Sequence, residues 1–429
     1  MKKYFSILGI IVLSLLTGCK EQLKWTELNM QEKENLTVWA WDEAFNIKAV
    51  REAAQEYRKE HQGVRIEVIA KEKPEIIQKL RSGFDVQMYE NLPDIVLIED
   101  YEVQRLLSDY AEEFLPMDSI LDYSQYQEHK TEITAKDGIH YGVPFDSGAA
   151  VLFYRKDYIE AAGYTDADMQ NLTWAKYMEI GQRVKEKLGI SMITVQPDDL
   201  GLIRIMMQSA GSWYVNDSGT QAYIEDNLAL KESIAVYKEL INSNLALPVE
   251  GWDNFTDAFQ EGSVATVVSG CWIASTIKEK KEQSGLWRVA SIPRLEGAEN
   301  AINASNIGGS SWYVLKNRKN TQEAANFLKE TVGENIELLN SLAKDINLVS
   351  VRKDAGMFPE YKKTEEFFGN TNIFDVFLET TANVPAVNYG RYTYEIENIL
   401  EKEMQTIIKG GDIEECLKRV QERAELSMY

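Results

Sequence analysis

The sequence predicts an α/β protein of two lobes, each a mostly parallel sheet flanked by helices, with three crossings of the chain between them. Three observations carry that expectation. The first part of the chain alternates strand and helix, the pattern of a parallel sheet with right-handed crossovers. The stretch Tyr141-Gly142-Val143-Pro144-Phe145-Asp146-Ser147-Gly148 is a Gly/Pro-punctuated turn with an acid at its tip, and it leads into the apolar run Ala149 to Tyr154, which reads as a buried strand opening a second such unit. Finally, 429 residues are too many for one core and imply two or three domains. Pro and Gly beside a lone carboxylate suit a hinge that also touches ligand. An ordinary strand connection with a solvated Asp146 is the equal alternative.

The amino end is an export signal. Met1-Lys2-Lys3 is its positive region, Ile7 to Leu16 its apolar core, and Leu16-Thr17-Gly18-Cys19 its small-residue close. The apolar run falls short of the about 20 residues that span a bilayer. Leu16-Thr17-Gly18-Cys19 resembles a bacterial lipobox, in which the Cys is lipidated and becomes the mature first residue; anchoring by more than one acyl chain is stable where a single chain is marginal. The alternative is a cleaved signal with an incidental Cys. Segment 1–18 is thus the signal and 19–34 a polar tether, leaving the protein on the outer face of the cell membrane.

Leu36-Thr37-Val38-Trp39-Ala40-Trp41 alternates as a first strand. Ile47, Val50, Ala54 and Tyr57 fall at helical spacing and Gly63 ends that helix. Val64 to Val68 is a second strand, Ile76, Ile77 and Leu80 mark a short helix, and Asp94 to Ile98 is a buried strand ending in Glu99-Asp100-Tyr101. Ligands of such sheets bind beyond the carboxyl ends of the strands, where Trp41-Asp42 and Asp100-Tyr101 both sit. After the central turn, Thr173 caps a helix that stops at Gly189, and Asp199 to Ser209 is another helix, followed by a loop carrying Trp213. Leu228 to Leu240 is amphipathic, a short helix starts at Phe255, and Gly262 to Trp272 is a strand with Trp272 at its end. Val289 to Arg294 and Asn306 to Leu315 look like a second crossing, Thr321 to Thr331 is a helix, and Ile346 to Val351 crosses back. The remainder is mostly helical, interrupted by the polar aromatic loop Asn388-Tyr389-Gly390-Arg391-Tyr392. The first lobe is expected to hold 35–145 and 304–347, the second 146–303 and 348–429.

Composition narrows the chemistry. Hydrophobic content of 44% with 10% aromatics fits a globular protein. The net charge of -22, or -24 once Lys2 and Lys3 leave with the signal, argues against nucleic acid, whose binding leans on Lys and Arg. His61, His129 and His140 lie far apart and form no metal-ligand spacing, and no phosphate loop, nucleophile elbow or calcium loop is present. Cys271 and Cys416 are expected as buried free thiols. Among 68 acidic residues carboxylate pairs occur at any spacing, so a glycan-cleaving pair gains no support from spacing alone. What stands out is Trp41, Tyr101, Trp213, Trp272 and Tyr389 at strand ends and loops. Flat aromatic faces beside polar groups suit a sugar, although aromatics also fill cores and rims.

These stretches taken together resemble one family. Leu16-Thr17-Gly18-Cys19, Leu36-Thr37-Val38-Trp39, Pro93-Asp94-Ile95-Val96, Tyr141-Gly142-Val143-Pro144 leading to Leu152-Phe153-Tyr154-Arg155-Lys156-Asp157, Ala162-Gly163-Tyr164 with Thr173-Trp174, Phe259-Gln260-Glu261-Gly262, Ile292-Pro293-Arg294 and Gly308-Gly309-Ser310-Ser311-Trp312 occur in order over nearly the whole mature chain. They are similar to the extracellular solute-binding proteins of ABC importers, in the carbohydrate-binding group that includes maltose-binding protein. The resemblance implies a periplasmic-binding-protein-like fold closing on a sugar by a hinge, without catalysis or cofactor, and delivery to a membrane permease by a monomer. By position it implies a cleft lined by Trp41, Asp42, Asp100, Tyr101, Asp146, Trp213, Trp272, Gly309, Ser310, Tyr389 and Arg391. In that reading Trp213 and Trp272 stack on sugar rings, while Asp42, Asp100, Asp146 and Arg391 bond to hydroxyls. Glu99-Asp100-Tyr101 departs from the small polar residues often found there. Two other functions stay open: a glycan-active enzyme using Asp42 with Asp146, and capture of a non-sugar solute such as a peptide or a metal held by tyrosines.

Overall fold

The computed structural model describes residues 34–428. The signal 1–18, Cys19 and nearly all of the tether lie outside the described residues. The strands run β1 (Glu34–Ala40), β2 (Val64–Ala70), β3 (Ile95–Glu99), a small hairpin of β4 (Ala135–Lys136) and β5 (Ile139–His140), β6 (Gly142–Pro144), β7 (Ala150–Arg155), β8 (Ser191–Val195), β9 (Ala246–Pro248), β10 (Val264–Gly270), β11 (Trp287–Ser291) and β12 (Ser310–Val314).

They form two five-stranded sheets, ordered β2-β1-β3-β12-β6 and β11-β7-β10-β8-β9. In the first, β1 is parallel to β2 and β3, while β12 is antiparallel to β3 and β6. In the second, β8 is parallel to β9 and β10, while β7 is antiparallel to β10 and β11. Each sheet therefore has one reversed strand, β12 or β7, and its other strands all run the same way. The reversed strand is the one that receives the chain from the other lobe, so it has to start at the end facing that lobe. The remaining strands point their carboxyl ends at the space between the lobes, where ligands of open α/β sheets bind.

The three crossings lie side by side. The Ser147 amide donates to the Val349 carbonyl (2.9 Å), the Ile307 amide to Gly148 (2.8 Å), and the Ala150 amide to Ser305 (2.9 Å). Asp146 also bridges to Ser350, and Ala149 to Asn306. The Gly/Pro turn is thus the middle member of a three-segment hinge.

Alternation along β7 separates two hydrophobic layers: Ala150, Leu152 and Tyr154 join one, Val151 and Phe153 the other. Local signals act as the sequence leads one to expect. The Thr173 hydroxyl accepts from the Lys176 amide (3.2 Å) to open the helix Trp174–Leu188, and Gly189, at φ 75°, closes it. Trp174, Tyr177, Ile180 and Val184 form its buried stripe, each worth about 1.5–3 kcal/mol of burial. β8 carries no clear signal in the sequence. All five of its residues are buried, and so short an apolar run carries no period to tell strand from helix. Cys271 and Cys416 are both buried and unbonded to one another.

Candidate functional site

Two cavities of about 440 and 500 Å³ lie between the lobes, and both are lined by Lys73, Glu99, Trp252, Trp272 and Gly308. They form one continuous cleft. The larger part runs over the hinge and takes in Trp41, Asp42, Asp146, Gly309 and Ser310. The smaller reaches Tyr101, Asp199, Arg204, Tyr394 and Glu397 in the opposite direction.

At the hinge end, Trp41 and Asp42 follow β1. Asp42 sits in the left-handed region, at φ 63°, and its Oδ1 accepts from the Ala44 (3.0 Å) and Phe45 (3.2 Å) amides, which holds the turn into the helix Asn46–Tyr57. Asp146 is buried in the first crossing, and its Oδ1 accepts from both the amide and the hydroxyl of Ser310, each at 2.7 Å. Burial raises its pKa, while Lys130 and the Ser310 donors act in the opposite direction. Gly309 passes here at φ 94°, and a Cβ on it would lie 2.8 Å from Asp100 Oδ2.

The middle of the cleft is aromatic. Trp272 follows β10, and its Nε1 donates to the Ile307 carbonyl (3.4 Å). Gly270 makes room for this indole, since a Cβ there would meet Trp272 Nε1 at 2.1 Å. Trp252, which the sequence reading did not single out, is 47% exposed, stacks on Phe255 (5.5 Å, 23°) and faces Trp272 at 5.9 Å. Opposite stands Glu99, which accepts from Lys73 Nζ (2.9 Å) and the Tyr394 hydroxyl (2.6 Å). Burial works to raise the Glu99 pKa, but Lys73 and Tyr394 outweigh it, so this carboxylate is held below its ordinary value and remains ionised.

At the far end Arg204 donates to Glu397 (2.7 Å) and Asp199 (2.8 Å), and the Tyr214 hydroxyl donates to Glu397 (2.9 Å). Burial disfavours the Arg204 charge, but the two carboxylates overcome that and fix it as a cation. The sequence signals for this group were faint: Arg204 lies in the otherwise apolar turn of the helix Gly201–Ser209, and Glu397 in one of many acidic helices.

Four expected ligand contacts have protein partners instead. Asp100 is 1% exposed and holds Lys130 Nζ at 2.6 and 2.8 Å, because the strand ends at Glu99 and the next side chain turns into the lobe. Trp213 and Tyr389 are buried beneath Tyr101. Arg391 pairs with Asp109 of the first lobe and lines neither cavity. Trp41, Asp42, Tyr101, Asp146, Trp272, Gly309 and Ser310 do line the cleft. No three His, Cys, Asp or Glu side chains among the described residues are grouped to hold a metal ion.

Two α/β lobes on a three-segment hinge, with an aromatic and acidic cleft between them, define a solute-binding protein. The chain belongs to the bacterial extracellular solute-binding protein family, whose model matches residues 52–369. It is 38% identical over 389 residues to a lactose-binding protein of Rhizobium radiobacter, covering 91% of this chain and 92% of that one. It is 27% identical over 378 residues to a maltooligosaccharide ABC transporter solute-binding lipoprotein of Streptococcus pneumoniae, covering 85% and 84%. Its fold is similar to that of the sugar-binding protein MalE from the phytopathogen Xanthomonas citri, with a TM-score of 0.77 at 18% identity, over 92% of this chain and 97% of that one.

Proposed function

We propose that this protein captures a carbohydrate, an oligosaccharide in particular, in the interlobe cleft and delivers it to the permease of an ABC importer without altering it. The observation that carries this reading is the Trp252–Trp272 pair at the junction of the two cavities, facing the ionised Glu99. Indole faces cover the C–H faces of a sugar, while Glu99, Asp146 and Arg204 offer acceptors and donors to its hydroxyls. Asp42 and Asp146 already spend carboxylate oxygens on the backbone, which suits holding a turn and a hinge better than proton transfer. The lipobox-like Leu16-Thr17-Gly18-Cys19 anchors the protein at the outer face of the cell membrane, and mass spectrometry of native protein should find lipid on Cys19.

The test is a thermal-shift titration with lactose, maltooligosaccharides and arabinooligosaccharides. Binding is expected to stabilise the fold as RT ln(1 + [L]/Kd), about 2.7 kcal/mol at a hundredfold excess over Kd, with the sugar recovered intact. Cleaved sugar would replace the transport reading with an enzymatic one. Stabilisation by peptides or metal ions alone would overturn the carbohydrate assignment.

A further inference from the structure

Tyr101 belongs to the first lobe, in the opening turn of the helix Asp100–Tyr110, yet its ring is packed into the second. It is 3% exposed. One face stacks on Trp213 (5.5 Å between ring centres, 21° between planes), and its ring meets Tyr389 edge-on (4.7 Å, 73°). The Arg204 guanidinium stands 5.1 Å over the same ring. The Gly308 amide donates to the Tyr101 hydroxyl (3.2 Å), which registers the ring against the second crossing.

The smaller cavity is lined by Tyr101 and Arg204 but by neither Trp213 nor Tyr389, so the Tyr101 ring is the wall between the cleft and an aromatic socket. In that wall Arg204 Nε is buried with no hydrogen-bond partner among the described residues. Aromatic faces with an unspent donor beside them are what a sugar ring requires. A phenol ring is flat and close to a pyranose in width.

Resting on the carbohydrate reading above, we propose that Tyr101 is a specificity-determining residue that ends the cleft. It occupies the place a further sugar ring would take on Trp213, and so limits the length of oligosaccharide bound at the Arg204 end.

The experiment compares the full chain in mild detergent with Tyr101→Ala, Tyr101→Leu and Tyr101→Phe. Each is titrated calorimetrically with lactose and with malto- and arabinooligosaccharides from mono- to tetrasaccharide. Wild type and Tyr101→Phe are expected to reach a common length beyond which affinity stops rising. Tyr101→Ala should extend that limit by one ring, the longer sugar gaining about tenfold relative to the shorter, or 1.4 kcal/mol. Tyr101→Leu, which keeps apolar packing in the socket, should move the limit in the same direction and carries the comparison if the alanine variant fails to fold. Wild-type binding with an unchanged limit in the folded Ala or Leu variant overturns the proposal alone. Absence of wild-type binding to every sugar overturns the carbohydrate reading and this proposal with it.

Discussion

Gly148 and Ile307 touch through their backbones: a Cβ placed on Gly148 would lie 2.1 Å from the Ile307 carbonyl oxygen. Two of the three crossings are thus held together by the absence of a side chain, and the Ile307 amide bonds back to Gly148 at 2.8 Å. The neighbour is main chain and cannot swing aside. Gly148→Ala should cost about 1–3 kcal/mol, the usual range for overpacking a filled site, measured by urea unfolding. Wild-type stability in that variant would mean that the crossings separate freely.

A second expectation concerns Trp272, held by its bond to the Ile307 carbonyl and by the space over Gly270. Trp272→Ala should weaken sugar binding by about 1.5–3 kcal/mol, roughly ten- to a hundredfold, with little change in unfolding. Gly270→Ala should weaken it as well, by pushing the indole off its seat, although Gly270 offers no side chain to ligand. Calorimetry on both variants checks this; normal affinity in Gly270→Ala would show that the orientation of the indole does not matter.

Two acids in the first turn of the helix Asp100–Tyr110 set a pH dependence. Burial, opposed by Lys130, pushes Asp100 up to about 7, and burial with the Glu99 charge pushes Glu102 up to about 6. Both native values lie above the unfolded ones, so between about pH 4 and 7 the native state binds more protons than the unfolded chain. The contribution is fully present below about pH 4 and is lost as pH rises through 7. Each proton of difference corresponds to a slope of about 1.4 kcal/mol per pH unit. Urea midpoints across this window should fall as pH rises. Asp100→Asn should flatten the slope and lower stability above about pH 7, where it removes the carboxylate that pairs the buried Lys130 charge. A slope that survives in Asp100→Asn would assign it to other groups.

What the sequence revealed and what it hid divide along physical lines. The two-lobed plan was legible because β1, β2 and β3 alternate with helices and because Pro144 and Gly148 punctuate the turn between lobes. Trp272, Trp41 and Asp146 were legible as cleft residues because strand ends and the hinge fix where they sit. Trp213, Tyr389 and Asp100 look the same in sequence, and only the packing of Tyr101 and Lys130 against them removes them from the cleft surface. Trp252 and Glu397 were hidden for the opposite reason: Glu397 meets Arg204, 193 positions away, only in the folded chain, and one acid among many gives no signal.

Closure itself can be favoured only by contacts made when the lobes meet, and the structure contains a set of them apart from the cleft floor. Arg105 of the first lobe pairs with Glu395 of the second, and Asp109 of the first with Arg391 of the second. All four side chains are partly exposed, 25–39%, so each pair is worth about 0.2–1 kcal/mol and weakens with salt. Arg105→Ala and Arg391→Ala should therefore each raise the sugar dissociation rate about 1.4- to fivefold, leave the unfolding midpoint nearly unchanged, and lose that effect at about 1 M salt. A double-mutant cycle on Arg105 and Glu395 should return a coupling of the same size in binding, because the pair forms only between lobes drawn together. Coupling in unfolding but not in binding would place these pairs in the open and closed states alike, and closure would then depend on the sugar and the cleft alone.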